Sequence, residues 1–349
     1  MRLPPLLRKE LAWSRRQVAV LLLVLVLFPA ALVSATSAFG DVVPRDTPVA
    51  VVPQGEDVSR DDVAVARGAA TLFAEPVTFD DRDAAFHALE REQVYAVLTV
   101  PPDLGGDPAT VGLYVDGSVV PYLQPSAAVV SLLGDSLPAG VSVERTVVGP
   151  ERSLSAYLVP TFQLVLVALV AMAYLPHVLA SERAAFDRLR VESTLERVLA
   201  TKLAVFTGLM AVPLGVFAVS AGWYGYGVDV AALGAVAVYL LTFLTLAALS
   251  AAVTLATDFA TWGRLCNLGG FLFVLLFSGL FYPAGFFSGT RRELVRLLPT
   301  HYAVVAVRGY TLRGASLGTY ADWLLGLAAV AAVAVGLLGL AVRRYEGVA

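Results

Sequence analysis

The sequence predicts an α-helical polytopic membrane protein with six transmembrane helices and an extracytoplasmic α/β domain inserted between helices 1 and 2. Three observations predict it. Hydrophobic residues make up 58% of the 349 and charged ones 15%, with a mean hydropathy of +0.74, whereas soluble proteins carry about 25% charged residues. Six charge-free stretches reach the roughly 20 residues with which a helix crosses about 30 Å of hydrocarbon. Between the first two lies a long polar segment in which strand-like and helix-like patterns alternate.

The apolar stretches run from Gln17 to Gly40, Ser153 to Ser181, Leu203 to Val228, Val230 to Thr257, Leu265 to Thr290 and Trp323 to Val342. Residues 17–40 form the first span. Arg8, Lys9, Arg15 and Arg16 before it, and the small residues Ser34 to Ala38 at its end, also suit a cleaved signal peptide. Its apolar run, however, exceeds the roughly 7–15 residues of a signal core. Residues 153–349 hold the other five spans.

Residues 41–152 read as one α/β domain. Strand patterns lie at Pro48–Val52, Pro76–Phe79, Val94–Val100, Val111–Asp116 and Val141–Val147. Helical patterns lie at Asp61–Phe73, Ala84–Glu92 and Ser126–Leu133. Pro53, Gly55, Pro101, Pro102, Gly105 and Gly106 mark the joins. Such alternation favours a sheet covered by helices. The segment carries 18 of the 28 acidic residues against seven arginines, a solvated acidic surface. Asp80, Asp81 and Asp83 lack the glycine and terminal glutamate of a calcium loop.

Basic residues orient the chain. Arg2, Arg8, Lys9, Arg15 and Arg16 precede span one, and Arg183, Arg188, Arg190, Arg197 and Lys202 lie between spans two and three. Arg264, Arg343 and Arg344 join the same side, so both termini are expected in the cytoplasm. Five arginines between Arg291 and Arg313 fall on the opposite side, where lipid phosphates at the headgroup level would accept them.

Catalytic motifs are missing. Lys9 and Lys202 lack the glycines of the phosphate loop G-x-x-x-x-G-K-S/T, and neither H-E-x-x-H nor G-x-S-x-G occurs. His87, His177 and His301 lie in separate segments, and the single Cys266 has no disulfide partner. The chain is therefore expected to be no enzyme and to bind no cofactor or metal, and nothing points to nucleic acid. A membrane-embedded hydrolase would keep ionisable pairs within its spans, but Asp229 and Asp258 stand only at span ends. Secondary transport lacks repeated halves and an intramembrane acidic pair. A membrane scaffold or sensor, whose external domain binds a ligand or protein partner, shares the topology and remains open.

Residues 181–202 connect spans two and three. Leu189, Leu195, Val198 and Leu199 keep near-helical spacing among Glu182, Arg183, Arg188, Glu192, Glu196 and Arg197, as in a short amphipathic helix parallel to the membrane. This stretch resembles the second-to-third loop of the permeases of type-2 ATP-binding-cassette exporters, the ABC-2 family. That loop reads E-R-E, then G-T-L-E with two leucine-like positions, small residues and lysine. Glu182 and Arg183 match the first part, and Thr194, Leu195, Glu196, Arg197, Val198, Leu199, Ala200, Thr201 and Lys202 the second. Ser193 stands where glycine is usual, and extra residues separate the parts.

Leu276 to Phe287 is similar to that family's fifth span and its proline-broken exit. Leu297 to Arg308 is similar to its L-x-P-x-x-Y-A-x-x-A-x-R stretch. Pro283 and Gly285 interrupt a helix and Pro299 restarts one, as in a re-entrant external segment over residues 283–308. The resemblance implies a separate ABC ATPase that hydrolyses the ATP, and a second permease subunit forming a homo- or heterodimer in the lipid bilayer. It implies coupling to the ATPase through Glu182, Arg183, Thr194, Leu195, Glu196 and Arg197. Gating is implied at Pro283, Gly285, Pro299, Tyr302 and Arg308. Residues 1–16 would form a cytoplasmic interfacial helix, with Leu7, Leu11 and Trp13 among basic residues.

Overall fold

The computed structural model describes residues 47–106, 108–183 and 194–348. The expected first span, the interfacial helix and the middle of the second-to-third connection lie outside these residues.

The polar half folds as a five-stranded mixed sheet. Strands β1 (Pro48–Pro53), β2 (Glu75–Thr78), β3 (Ala96–Val100), β4 (Ala109–Asp116) and β5 (Val141–Val148) take the order β2-β1-β3-β4-β5. Only β3 and β4 pair antiparallel. The parallel pairs need crossovers. Helices α1 (Arg60–Ala70), α2 (Arg82–Glu90), α3 (Val120–Leu123) and α4 (Pro125–Ser136) supply them. Ser59 caps α1 through the Asp62 amide, and Asp81 caps α2 through those of Asp83 and Ala84, satisfying donors a helix start leaves open. Ala66, Ala70, Val129 and Leu133 cover one sheet face, and Ala85, Ala88 and Leu89 the other. Burial on both faces explains why β1 is apolar throughout and β3 at every position but Thr99. All five strand patterns read from the sequence form strands within one or two residues.

The apolar half is helical. Helices α5 (Leu154–Ser181), α6 (Leu195–Trp223), α7 (Leu233–Ala256) and α11 (Ala321–Val348) are long enough to cross a bilayer. Between them come α8 (Thr261–Phe277), α9 (Gly289–Arg296) and α10 (Pro299–Arg308). Helix α7 is the hub, packing against α5, α8, α10 and α11. Helix α5 carries a π-turn at Val170–Tyr174. The Ala171 carbonyl in that turn accepts from Ser250 Oγ at 2.6 Å, and Asn267 Nδ2 donates to the Ser250 carbonyl and to Thr254 Oγ1. This small polar cluster ties α5, α7 and α8 where apolar packing alone has little directional preference.

The third, fifth and sixth stretches differ most from their expected bounds, the sixth running past Val342 to Val348. The fifth breaks at Ser278, so α8 is a shorter apolar helix of 17 residues. Its continuation turns through a 3₁₀ segment at Ala284–Phe286 because Pro283 cannot extend the helix. The third begins eight residues early. Leu195–Lys202 is not a separate helix but the opening turns of α6, with Thr194 Oγ1 accepting from the Arg197 amide at 3.4 Å. Leu195, Leu199 and Leu203, four residues apart, share one buried stripe, and nothing between Lys202 and Leu203 breaks it.

Candidate functional site

Two charged regions stand at opposite ends of the helical bundle. At one end, Glu182 and Arg183 close α5, and the first turns of α6 lie beside them. Lys202 Nζ pairs with Glu182, and Arg183 makes two 3.0 Å bonds to the Asp258 carboxylate. The Arg183 guanidinium also lies 5.6 Å over the Phe259 ring. Asp258 and Phe259 both adopt positive φ, at 50° and 57°, in the turn after α7. Phe259 packs edge-on against Tyr345, and Arg343 approaches Glu196 at 3.7 Å. Leu195 is buried, whereas Thr194, Glu196 and Arg197 are exposed. The structure thus gathers all six residues expected to couple at one end, joined to the turn after α7 and to the end of α11.

At the other end the sheet unit is bolted to the segment from Gly279 to Trp323. Helix α10 continues through a π-turn, Gly309–Arg313. It runs antiparallel to α7: Thr300 and Val304 lie by Thr242 and Leu246, and Tyr310 lies against Gly234. Its Arg308 is 2% exposed. Arg308 Nη1 donates to Glu92 Oε2 at 3.3 Å, and Nη2 to the carbonyls of Gly279 and Leu280 at 2.8 and 2.5 Å. The Arg308 guanidinium also sits 4.5 Å over the Tyr157 ring. Arg313 pairs with Asp116, donates to Tyr320 Oη at 3.0 Å and lies 3.9 Å from Glu92. Arg292 pairs with Glu75, and Arg91 with Asp322.

Three of the five arginines that stood out on the wrong side for charge-based orientation have protein partners in the sheet unit. Arg292, Arg308 and Arg313 meet carboxylates of the sheet unit, because burying a charge is tolerated only with a paired, hydrogen-bonded partner. The acidic excess of residues 41–152 supplies those partners.

Pro283 caps the 3₁₀ turn, and the Gly285 amide donates to Tyr95 Oη at 3.1 Å. A Cβ at 285 would overlap the Tyr95 ring, so only glycine allows this approach. Burial and the neighbouring Glu92 carboxylate push the Tyr95 hydroxyl well above the usual tyrosine range, so it stays protonated. Pro299 opens α10, where its missing N–H goes unneeded. Tyr302 packs edge-on against Trp323, with centroids 5.0 Å apart.

Glu92, Asp116, Tyr95 and Arg313 escaped the sequence reading. Glu92 carried a signal nonetheless. It follows α2 with φ 52°, while its amide bonds the Leu89 carbonyl and the Gln93 amide bonds that of Ala88. That is the C-terminal position where glycine is usual and a carboxylate opposes the helix dipole. A glutamate kept there against both preferences points to a partner elsewhere. Among the described residues, no group of three or more His, Cys, Asp or Glu is placed to hold a metal.

A family model described as ABC-2 family transporter protein matches residues 15–341. The chain belongs to the ABC-2 transporter family. Its members are the membrane components of ABC transporters and work with an ATPase subunit. Neither a curated protein nor a solved structure matches the chain. For an ABC-2 membrane component, the two charged ends acquire distinct meanings: one is accessible to a partner, the other is closed on itself.

Proposed function

We propose that the chain is the permease subunit of an ATP-driven exporter, moving its substrate across the cell membrane with ATP hydrolysed by a separate subunit. Residues 17–40 supply a first span, residues 41–152 an external domain, and residues 153–349 the remaining spans, with both termini cytoplasmic. Helix α8 and the segment through α10 together form the fifth span and its re-entrant exit. The direction of α10 supports this. It starts beside the middle of α7 and climbs to the beginning of α7, as a hairpin dipping into one leaflet does.

The observation that carries the reading is the exposed Glu196–Arg197 pair on a buried leucine stripe, at the bundle end opposite the sheet unit. A partner pressing on Glu196 and Arg197 pushes α6 along its axis, since Leu195–Leu209 runs on into Ala211–Trp223 with only Met210 between them. The contact of Glu196 with Arg343 and the bond of Arg183 to Asp258 pass that push to α11 and α7. Both pack against α10, whose far end carries the buried arginines. Movement of the Pro283–Arg308 segment then opens the exit between two permease subunits, identical or paired with a sister chain.

The test is a mild-detergent pull-down of tagged chain from its native membrane, scored for a co-purifying ATPase with a phosphate-loop motif. The expected result is recovery of that ATPase by the wild type and its loss on combined Glu196→Arg and Arg197→Glu. Clean recovery of the chain alone, where a known exporter complex survives, would favour the scaffold or sensor whose external unit binds a ligand.

A further inference from the structure

A cleft of about 370 Å³ lies where the sheet unit meets α9, α10 and α11, bordered by Arg91, Arg292, Arg296, Tyr302 and Trp323. Its size falls in the range of small-ligand sites, about 300–1,000 Å³. A second groove of about 240 Å³ shares Tyr302 and Trp323 with it and continues along α11 past Gly326 and Leu327 to Val330. The first has a mixed lining of charged and apolar groups and the second is mostly apolar, and the two share the Tyr302 and Trp323 rings.

The charges in the first cleft are arranged unequally. The Arg292 and Arg91 side chains are 7% and 14% exposed, but their carboxylate partners Glu75 and Asp322 are 54% and 62% exposed. Arg296 is 38% exposed, and its partner Glu293 is 69% exposed. Glu75 and Glu293 line this cleft and Asp322 lines the second groove; each carboxylate is more exposed than its cation, so rotating into water loses little. Glu92, the buried carboxylate of the cleft, is engaged by Arg308 and Arg313. An incoming phosphate or carboxylate can replace an exposed carboxylate and offer a guanidinium the same forked geometry.

We infer that this composite cleft binds an amphiphile whose anionic headgroup, phosphate or carboxylate, sits at Arg292 and Arg296. Its alkyl chain lies along Gly326, Leu327 and Val330, provided that α11 spans the bilayer as proposed above. Trp323, at the join, reports on both halves.

The experiment uses full-length chain in phosphatidylcholine nanodiscs, with Trp13, Trp223 and Trp262 changed to phenylalanine so that Trp323 alone fluoresces. Brominated phosphatidylglycerol is expected to quench Trp323 at a mole fraction several-fold below that needed for brominated phosphatidylcholine. Octyl phosphate is expected to relieve the quenching, and inorganic phosphate is not. Combined Arg292→Gln and Arg296→Gln is expected to raise the half-quenching fraction about tenfold. Gly326 lines the groove and a Cβ there meets nothing within 4 Å, so Gly326→Phe is expected to fill the groove and abolish selective quenching with the arginines intact.

Equal quenching by the two lipids, unchanged in both variants, means ordinary surrounding lipid and overturns the site. Relief by inorganic phosphate as strong as by octyl phosphate means a free-anion site and overturns the alkyl half. A companion chain keeping Trp223 alone, 86% exposed on α6, separates the two readings. If neither lipid quenches Trp223, the membrane reading fails with the site; if Trp223 is quenched and Trp323 shows no preference, the site alone fails.

Discussion

The two charged ends of the bundle use the same residue types to opposite effect. At the sheet end, Glu92, Arg308, Arg313 and Asp116 are almost fully withdrawn from solvent. At the other end, Arg183 and Asp258 are 50% and 65% exposed, and Arg343 and Glu196 77% and 51%. Buried pairs are strongly damaged when one member is removed, because the survivor keeps its desolvation penalty. Exposed pairs contribute little and can re-form with a different partner. The difference makes one end a fixed joint and leaves the other a surface free to exchange contacts, in keeping with the coupling proposed above.

The largest effect should come from breaking the fixed joint. Glu92→Gln leaves Arg308 and Arg313 buried with less compensation and is expected to destabilise the protein by about 3–5 kcal/mol. Thermal unfolding in detergent measures it. Glu92→Gly sharpens the point: it relieves the backbone at φ 52°, so if it matches Glu92→Gln, the lost carboxylate rather than the strained backbone governs this joint.

An intermediate effect is expected at the Tyr95–Gly285 contact, which holds the Ala284–Phe286 turn to the sheet. Gly285→Ala forces the ring aside and should lower stability by about 1–3 kcal/mol. Adding Tyr95→Leu should recover part of that loss if overlap with the ring is its cause. Full additivity of the two changes, read from the same unfolding curves, would show that they do not meet.

The smallest effect belongs to the exposed end. Arg183→Ala removes both bonds to Asp258, yet at half exposure the change in unfolding free energy should stay within about 0–1 kcal/mol. Its consequence is expected in ATPase-stimulated transport instead. A loss of stability as large as that of Glu92→Gln would erase the contrast between the ends.

Much of the architecture was legible from local pattern. The strands were visible from β-branched runs between proline and glycine, and four of the apolar stretches from their length alone. Helix α6 was misjudged at its start because the charges of Glu196, Arg197 and Lys202 mask a leucine stripe that continues into the apolar run. The break after α8 was visible through Pro283, Gly285 and Pro299, whose backbone restrictions show in sequence. Glu92 and Asp116 were hidden among the many acidic residues of the same segment, since one carboxylate resembles another until its partner is known.

The sequence by itself determined that this chain has the long apolar helices of a membrane protein, where the strands of its sheet unit lie, and which family it resembles, because hydropathy, period and motif order are properties of neighbouring residues. Only the tertiary structure decided what the arginines after α8 do. Arg292 meets Glu75 across 217 positions, Arg308 meets Glu92 across 216, and Arg313 meets Asp116 across 197. No local pattern encodes such pairings. They follow from packing the sheet unit onto the bundle, which removes water from those charges and leaves each guanidinium dependent on a carboxylate far away in the chain.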